Sequence, residues 1–154
     1  MSEVGAVRYR ERLWPARWIL VATLLVIPAS ALTFAPLSWV LGFVVGVFLY
    51  AGCVGLYAIA GVPVEVTDTE LRAGRARIEL DFVGGATAFT GADATSQRGP
   101  ELDARAWLLL RGGVPGVVRV DIADPKDPTP YWLISTRNPD RLVSELIGAV
   151  ASRA

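Results

Sequence analysis

Residues 18–64 read WILVATLLVIPASALTFAPLSWVLGFVVGVFLYAGCVGLYAIAGVPV, a run of 47 residues without a charged side chain. A helix that crosses a bilayer needs about 20 mostly apolar residues, so the run is long enough for two crossings. Near its middle lies Pro36, which would interrupt a continuous helix and favours a reversal of the chain. The sequence therefore predicts a transmembrane helical hairpin over residues 18–62, with helices at about 18–33 and 37–60.

The charges that flank this hairpin predict its orientation. Four arginines precede it, at positions 8, 10, 12 and 17, whereas the turn between the two helices has none. Because loops rich in Arg and Lys stay in the cytoplasm, we expect the basic N-terminal segment 1–17 and the region after the hairpin to be cytoplasmic. The chain would then be a multi-pass protein of the cell (inner) membrane, with both termini inside and the lipid bilayer as a partner.

A secretory signal is an alternative interpretation of the first apolar segment. Arginines, the apolar stretch 19–27 and then Ala29-Ser30-Ala31 fit the order of a signal peptide and its small-residue cleavage site. A second apolar segment follows almost at once, which favours the hairpin. If cleavage occurred, the remaining helix would start outside and still deliver the C-terminal region to the cytoplasm.

Small residues recur at helical spacing in the second predicted helix. Gly42 and Gly46 form a Gly-x-x-x-Gly pair, and Ala51 and Gly55 repeat the spacing. Such positions let two helix backbones approach closely in a bilayer. We interpret them as packing against the first helix of the same chain, with a homodimer or another membrane protein as the alternative partner.

Composition limits the functions open to the remaining residues. Residues 65–154 hold 11 Lys or Arg and 13 Asp or Glu, a net charge of −2, whereas nucleic-acid binding calls for a basic face. The sequence has no histidine, which removes the commonest general base and the commonest imidazole metal ligand. Cys53 is the only cysteine, so an internal disulfide is excluded. We therefore expect no nucleic acid, no cofactor, no metal and no catalytic residue.

Residues 63–154 show the pattern of a small β-rich domain. Apolar and charged residues alternate over 75–82 and 118–122, which is typical of half-buried strands, and 106–110 and 131–136 are apolar enough for two more. Glycines at 112–116 favour a hairpin between two of these strands, and 90–101 has the polar composition of a mobile loop. After Asn138, an N-cap, and Pro139, an apolar stripe predicts a closing helix. The expected fold class is an α+β membrane protein whose cytoplasmic domain is an antiparallel β-barrel or sandwich of about seven strands closed by a C-terminal helix.

Several segments together resemble a known family. They are Tyr9-Arg10-Glu11-Arg12-Leu13-Trp14, Val64-Glu65-Val66-Thr67-Asp68, Leu71-Arg72-Ala73-Gly74-Arg75-Ala76 and residues 127–137, DPTPYWLISTR. The chain is similar over nearly its whole length to the actinobacterial membrane-protein family known as domain of unknown function 3093. The resemblance implies two N-terminal spans, a compact cytoplasmic domain and no assigned activity. The order of elements also resembles a pleckstrin-homology-like domain placed behind two spans, an analogy at the level of fold alone.

Two groups of residues are candidates for an interaction surface. Arg72, Arg75 and Arg77 are basic enough to meet anionic lipid headgroups, although Glu70, Glu79 and Asp81 beside them favour a salt-bridged strand face. Trp107 and Tyr131 are aromatic candidates for the same surface. Tyr131 lies next to the proline-rich turn, and for Trp107 a docking surface and burial in the core are both open.

Three carboxylates bear on the possibility of an enzyme. Asp121, Asp124 and Asp127 surround a proline-rich turn, where a hard cation is conceivable but Asp is favoured for backbone reasons alone. The leading hypothesis is a membrane-anchored, non-enzymatic binding module for a protein partner or lipid headgroups. The alternative is an accessory subunit that acts through its spans, and a carboxylate- or metal-dependent enzyme ranks last.

Overall fold

The computed structural model describes residues 6–153. The chain forms two compact units, an apolar helical unit over Trp14–Gly61 and an α+β domain made from the residues before and after it. In chain order the elements are β1 (Val7–Leu13), α1 (Trp18–Thr23), α2 (Val26–Phe34), α3 (Trp39–Ile59), β2 (Val62–Thr67), β3 (Glu70–Ala73), β4 (Ala76–Glu79), a 3-10 turn (Leu80–Phe82), β5 (Val83–Phe89), α4 (Gly91–Arg98), β6 (Trp107–Leu109), β7 (Gly116–Ile122), β8 (Tyr131–Thr136) and α5 (Pro139–Ala151).

The first apolar segment is broken into two short helices, α1 and α2. Pro28 has no N–H to donate to the Leu24 carbonyl four residues earlier, and that carbonyl instead accepts the Ile27 N–H at 3.2 Å. The segment predicted as the first helix, about 18–33, thus consists of α1 and α2, joined at Leu24 and Leu25, whose backbone is also helical. Within residues 6–153, α3 is the one helix that is long and apolar enough to cross a bilayer, judged by length and composition.

The chain reverses between α2 and α3, where the sequence predicts a turn. The N–H groups of Leu37 and Ser38 both donate to the Phe34 carbonyl at 2.9 Å. Ser38 then caps α3, because its hydroxyl accepts the Leu41 N–H at 3.4 Å. The observed α3 begins two residues after the predicted start at Leu37 and ends one residue before the predicted end at Ala60.

The first sheet is antiparallel, with strand order β1-β2-β3-β4. Its inward side chains include Tyr9, Leu13, Val64 and Leu71, each at most 4% exposed. Strand β1 pairs with β2 from Val7↔Thr67 to Leu13↔Val62. The sequence left open whether the segment before the apolar helices only flanks the membrane or lies back against the domain. In the structure it contributes a strand to the domain that follows the helices.

The second sheet has strand order β5-β7-β8-β6. The predicted hairpin between residues 106–110 and 118–122 is wrong, because β7 is already paired on both sides, with β5 and β8. The short β6 lies instead at the edge of the sheet and runs parallel to β8. The strands are therefore not all antiparallel.

Two helices complete the domain. The segment 90–101, predicted as a mobile loop, contains α4, which buries Ala94 and Gln97. The closing helix α5 begins with Pro139 after Asn138, as predicted, and buries Leu142 and Leu146. Its apolar face shares one core with side chains from both sheets.

The α+β class and the closing helix are confirmed, whereas the number of strands and the barrel are corrected. The described residues form eight strands in two four-stranded sheets, without a closed barrel. The eighth strand is β1, which the sequence interpretation did not count. The apolar core lies between the two sheets and α5.

Candidate functional site

A row of charged side chains crosses the outer face of the first sheet. The register places Arg10 opposite Glu65, Glu65 opposite Arg72, and Arg72 opposite Arg77. These residues alternate with the inward apolar ones, so they share one face of the sheet. Arg10 and Glu65 form an ion pair at 3.0 Å, which leaves Glu65 engaged within the row.

In the β3–β4 hairpin, arginines and glutamates lie toward opposite ends of the strands. The chain leaves the domain after Leu13 and returns at Val62, and these two residues are paired; we call this the linker end of the sheet. The β3–β4 hairpin turns at the same end, since the Gly74 N–H donates to the Pro63 carbonyl at 2.8 Å. Glu70 and Glu79 face each other at the far end.

Three exposed arginines therefore occupy the β3–β4 hairpin, and we call them the linker-end arginines: Arg72, Arg75 and Arg77. Within residues 6–153 their side chains form no hydrogen bond or ion pair. The expectation of a salt-bridged face is therefore wrong for these three residues. Of the carboxylates expected to pair with them, Asp81 is instead 3.1 Å from Arg153.

The turn that carries Arg75 has a defined backbone geometry. Ala73 pairs with Ala76 across a two-residue loop, and Gly74, the first residue of that loop, has φ of +63°. A side chain is disfavoured at this φ, and a Cβ on Gly74 would also lie 2.9 Å from a methyl carbon of Val62. The glycine thus fixes the hairpin next to the point where the chain re-enters the domain.

The aromatic candidates differ in accessibility. Trp107 is half-buried, and its ring centroid lies 4.7 Å from that of Trp132. Tyr131 is 2% exposed, its hydroxyl accepts the Asp103 N–H at 2.8 Å, and the Arg119 guanidinium lies 4.1 Å from its ring centroid. The interpretation of Tyr131 as part of a docking surface is therefore wrong, because the residue belongs to the core.

The three aspartates near the proline-rich turn have separate partners. Asp121 forms an ion pair with Arg119 at 2.9 Å, and the Asp124 carboxylate accepts the Lys126 N–H at 2.8 Å. Hydrogen bonds from Thr129 hold the pKa of Asp127 below its ordinary value. Among residues 6–153, no three acidic or cysteine side chains meet in a geometry that could hold a metal ion.

A shallow cavity of about 240 Å³ lies beside β4, lined by Arg77, Ile78, Glu79, Phe82, Asp124, Asp127 and Trp132. Small-molecule sites usually enclose about 300–1,000 Å³ and are mostly apolar. This cavity is smaller and carries charges of both signs. It gives no support to a small-molecule site.

A buried carboxylate network is the feature that the sequence interpretation missed. Glu11 accepts hydrogen bonds from the Tyr9 hydroxyl at 2.7 Å, the Thr136 hydroxyl at 2.6 Å and the Arg137 N–H at 3.1 Å. Burial, more than any other cause, raises the pKa of Tyr9 to about 12. The network ties β1 to the end of β8 and the start of α5, and the alternation of Tyr9, Glu11 and Leu13 is the sequence signal that could have located it.

The small residues of α3 fall on two different faces. A Cβ on Gly42 would lie 2.7 Å from the Cα of Ala31, and one on Gly46 would lie 2.8 Å from the Cα of Ile27. These two glycines therefore lie against α2. Gly55 has no atom within 4 Å of its Cβ position, and Ala51 is exposed.

Comparison with protein families gives one match. The profile of the family described as "Protein of unknown function (DUF3093)" matches residues 8–146. The chain belongs to the DUF3093 family. The match includes β1, the helical unit and nearly all of the α+β domain, so the family resemblance extends across both units. Comparison with curated proteins and with solved structures gives no match.

Proposed function

We propose that this DUF3093 protein is a membrane-anchored, non-enzymatic binding module. Its apolar helices would hold it in the cell membrane, and its α+β domain would bind a protein partner or lipid headgroups at the cytoplasmic surface. The observation that carries this proposal is the pairing of β1 with β2. These strands flank the helical unit in sequence, yet they are neighbours in one sheet.

That pairing constrains any membrane topology. Two hydrogen-bonded strands lie on the same side of a bilayer, so the helical unit between them crosses an even number of times or does not cross. A single crossing by α3 is incompatible with the pairing. Cleavage after Ala31 would likewise detach β1 from the chain that contains β2, so the sheet favours the hairpin over the signal peptide.

The dimensions and aromatic residues of α3 support insertion in a bilayer. Its 21 residues correspond to about 31 Å at 1.5 Å per residue, close to the thickness of about 30 Å of a hydrocarbon core. Trp39 is 60% exposed at one end. At the other end Tyr57 stacks on Trp14 with 5.8 Å between ring centroids and donates to the Pro15 carbonyl at 2.7 Å. Aromatic rings at both ends of a helix are typical of membrane–water interfaces.

Charge supports the cytoplasmic orientation. Arg8, Arg10, Arg12 and Arg17 precede the first helix, whereas the turn at residues 34–38 has no charge. The positive-inside rule then assigns β1, and with it the whole domain, to the cytoplasm. A binding role is preferred to catalysis because the sequence has no histidine and the three aspartates are engaged in an ion pair and turn contacts.

One observation favours the second candidate, an accessory subunit that acts through its spans. On α3, Ala51, Gly52 and Gly55 lie on an exposed surface, and the Cβ positions of both glycines are open. A second helix could approach closely there.

Crosslinking in native membranes tests the proposal. The full chain would be crosslinked, extracted in mild detergent and compared with Leu133→Asp, which places a charge at a residue 0% exposed in β8 and leaves the helical unit unchanged. We expect the full chain to resist alkaline carbonate extraction and to enrich a protein or lipid that Leu133→Asp loses. Extraction by carbonate, or no enrichment over Leu133→Asp, contradicts the proposal. A partner retained by both chains supports the accessory subunit instead.

A further inference from the structure

We propose that the linker-end arginines, Arg72, Arg75 and Arg77, bind the anionic phospholipid headgroups of the bilayer that holds α3. This inference rests on the membrane anchoring proposed above and names a ligand for the outer face of the first sheet. The inference follows from the strand register within the α+β domain and from the positions of Leu13 and Val62, where the chain leaves and re-enters that domain.

The first step is the position of the β3–β4 hairpin. Only Ala60 and Gly61 separate α3 from β2, so the linker end of the sheet is the part of the domain most closely tethered to an inserted α3. Gly74 bonds to Pro63 and packs against Val62, the first two residues of β2. The turn that carries Arg75 is therefore fixed beside Val62 and Pro63, the residues that directly follow the Ala60–Gly61 linker.

The second step is the difference between these arginines and two others near the far end of the sheet, Arg8 of β1 and Arg153 after α5. Arg8 is paired with Asp68, and Arg153 with Asp81. The linker-end arginines have no such partner within residues 6–153, although all three are exposed. The arginines near the far end of the sheet are thus paired with carboxylates, whereas the linker-end arginines remain available to bind an anion.

Within residues 6–153, none of the acidic groups near the three arginines forms an ion pair with them. Glu65 is engaged by Arg10 at 3.0 Å, and Glu70 and Glu79 lie at the far end of their strands. Glu79, Asp124 and Asp127 line the same cavity as Arg77, so negative charge lies close to that arginine. Arg72 and Arg75 are therefore the more available pair, and Arg77 completes the basic hairpin.

Complementary charge indicates which ligand the linker-end arginines bind. The cytoplasmic leaflet presents anionic headgroups, and each Arg or Lys near such a surface strengthens binding by about fivefold. Guanidinium groups bind phosphate oxygens through two parallel hydrogen bonds. Arginines beside a membrane tether therefore match phospholipid headgroups in both charge and chemistry.

Hydrogen exchange of the full chain in lipid nanodiscs tests the inference. Nanodiscs of phosphatidylcholine would be compared with nanodiscs of equal phosphatidylcholine and phosphatidylglycerol. The variant is Arg72→Gln/Arg75→Gln/Arg77→Gln. Its control, Arg105→Gln/Lys126→Gln/Arg141→Gln, removes the same charge from other exposed positions.

We expect the amides of residues 72–77 to exchange at least about fivefold more slowly in the anionic nanodiscs, the factor for a single arginine at the surface. The effect should disappear in 1 M salt, where the screening length is about 3 Å, and in the hairpin variant, but persist in the control. Equal exchange in both lipids, or protection that survives in the hairpin variant, overturns the inference. Inorganic phosphate that produces the same protection in phosphatidylcholine nanodiscs overturns it in favour of a soluble anion site. Failure of the chain to enter nanodiscs contradicts the proposed anchoring itself, which distinguishes the two outcomes.

Discussion

Replacing Glu11 with alanine should weaken the attachment of β1 to the domain. The Glu11 carboxylate accepts hydrogen bonds from Tyr9, Thr136 and Arg137. Each buried donor left without an acceptor costs about 1–3 kcal/mol. The hydroxyls of Tyr9 and Thr136 are 3.2 Å apart and can partly satisfy each other. Because Arg137 is exposed, its N–H can reach water, so we expect a total loss of about 2–3 kcal/mol in the free energy of unfolding.

Thermal unfolding of the full chain in mild detergent, followed by tryptophan fluorescence, measures this loss. For a domain of this size, about 1 kcal/mol lowers Tm by about 4–8 °C, so Glu11→Ala should lower it by roughly 10–20 °C. Glu79→Ala is the matched control, because Glu79 is exposed and should change stability by less than about 0.5 kcal/mol. Equal Tm values for the two variants would refute the role assigned to the Glu11 network.

Three further predictions concern other residues. The raised pKa of Tyr9, about 12, means that the folded state keeps a proton that the unfolded state loses above about pH 10. The free energy of unfolding should therefore fall by about 2–3 kcal/mol as pH rises from about 10 to 12. Denaturant titration of a Tyr9→Phe variant should not show this pH dependence. Gly46→Leu should separate α2 from α3 and lower stability by at least about 2 kcal/mol, measured by thermal unfolding, whereas Gly52→Leu should be tolerated because its Cβ position is open. Arg98 donates to the carbonyls of residues 114, 115 and 116 at 2.8, 3.1 and 3.2 Å, so Arg98→Ala should destabilise the domain by about 2 kcal/mol. In the same denaturant titration, Arg105→Ala, which removes a solvent-exposed ion pair, should have a clearly smaller effect.

The sequence correctly predicted the elements that are identified by residues close together in the chain. Alternation located β4 and β7, and the apolar stripe after Pro139 located α5. The turn between α2 and α3 followed from Pro36 and its neighbours. In each case the residues that identify the element lie within a few positions of one another, so spacing alone was sufficient.

The incorrect predictions involve contacts between distant parts of the chain. Strand β1 pairs with residues 49 to 60 positions later, from Leu13↔Val62 to Val7↔Thr67. Its arginines were interpreted as a membrane flank although Tyr9 and Glu11 alternate with them. The glycines at 112–116 resembled a hairpin turn, but β7 uses both edges to bind β5 and β8. Helix α4 has a weak helical sequence, and its buried residues, Ala94 and Gln97, meet the rest of the domain only in the folded chain. The linker-end arginines were located from the sequence, whereas their lack of partners required the register of four strands.

Cysteine accessibility in intact cells tests most directly whether both flanks of the helical unit lie on the cytoplasmic side. Single cysteines would be placed at Arg10 in β1, Pro36 in the turn and Lys126 in the domain, in a chain carrying Cys53→Ser. A membrane-impermeant maleimide should label the cysteine at position 36 from outside and label those at positions 10 and 126 only after permeabilisation. Labelling of positions 10 and 126 from opposite sides, or of position 36 from the same side as both, would contradict the proposed hairpin anchor.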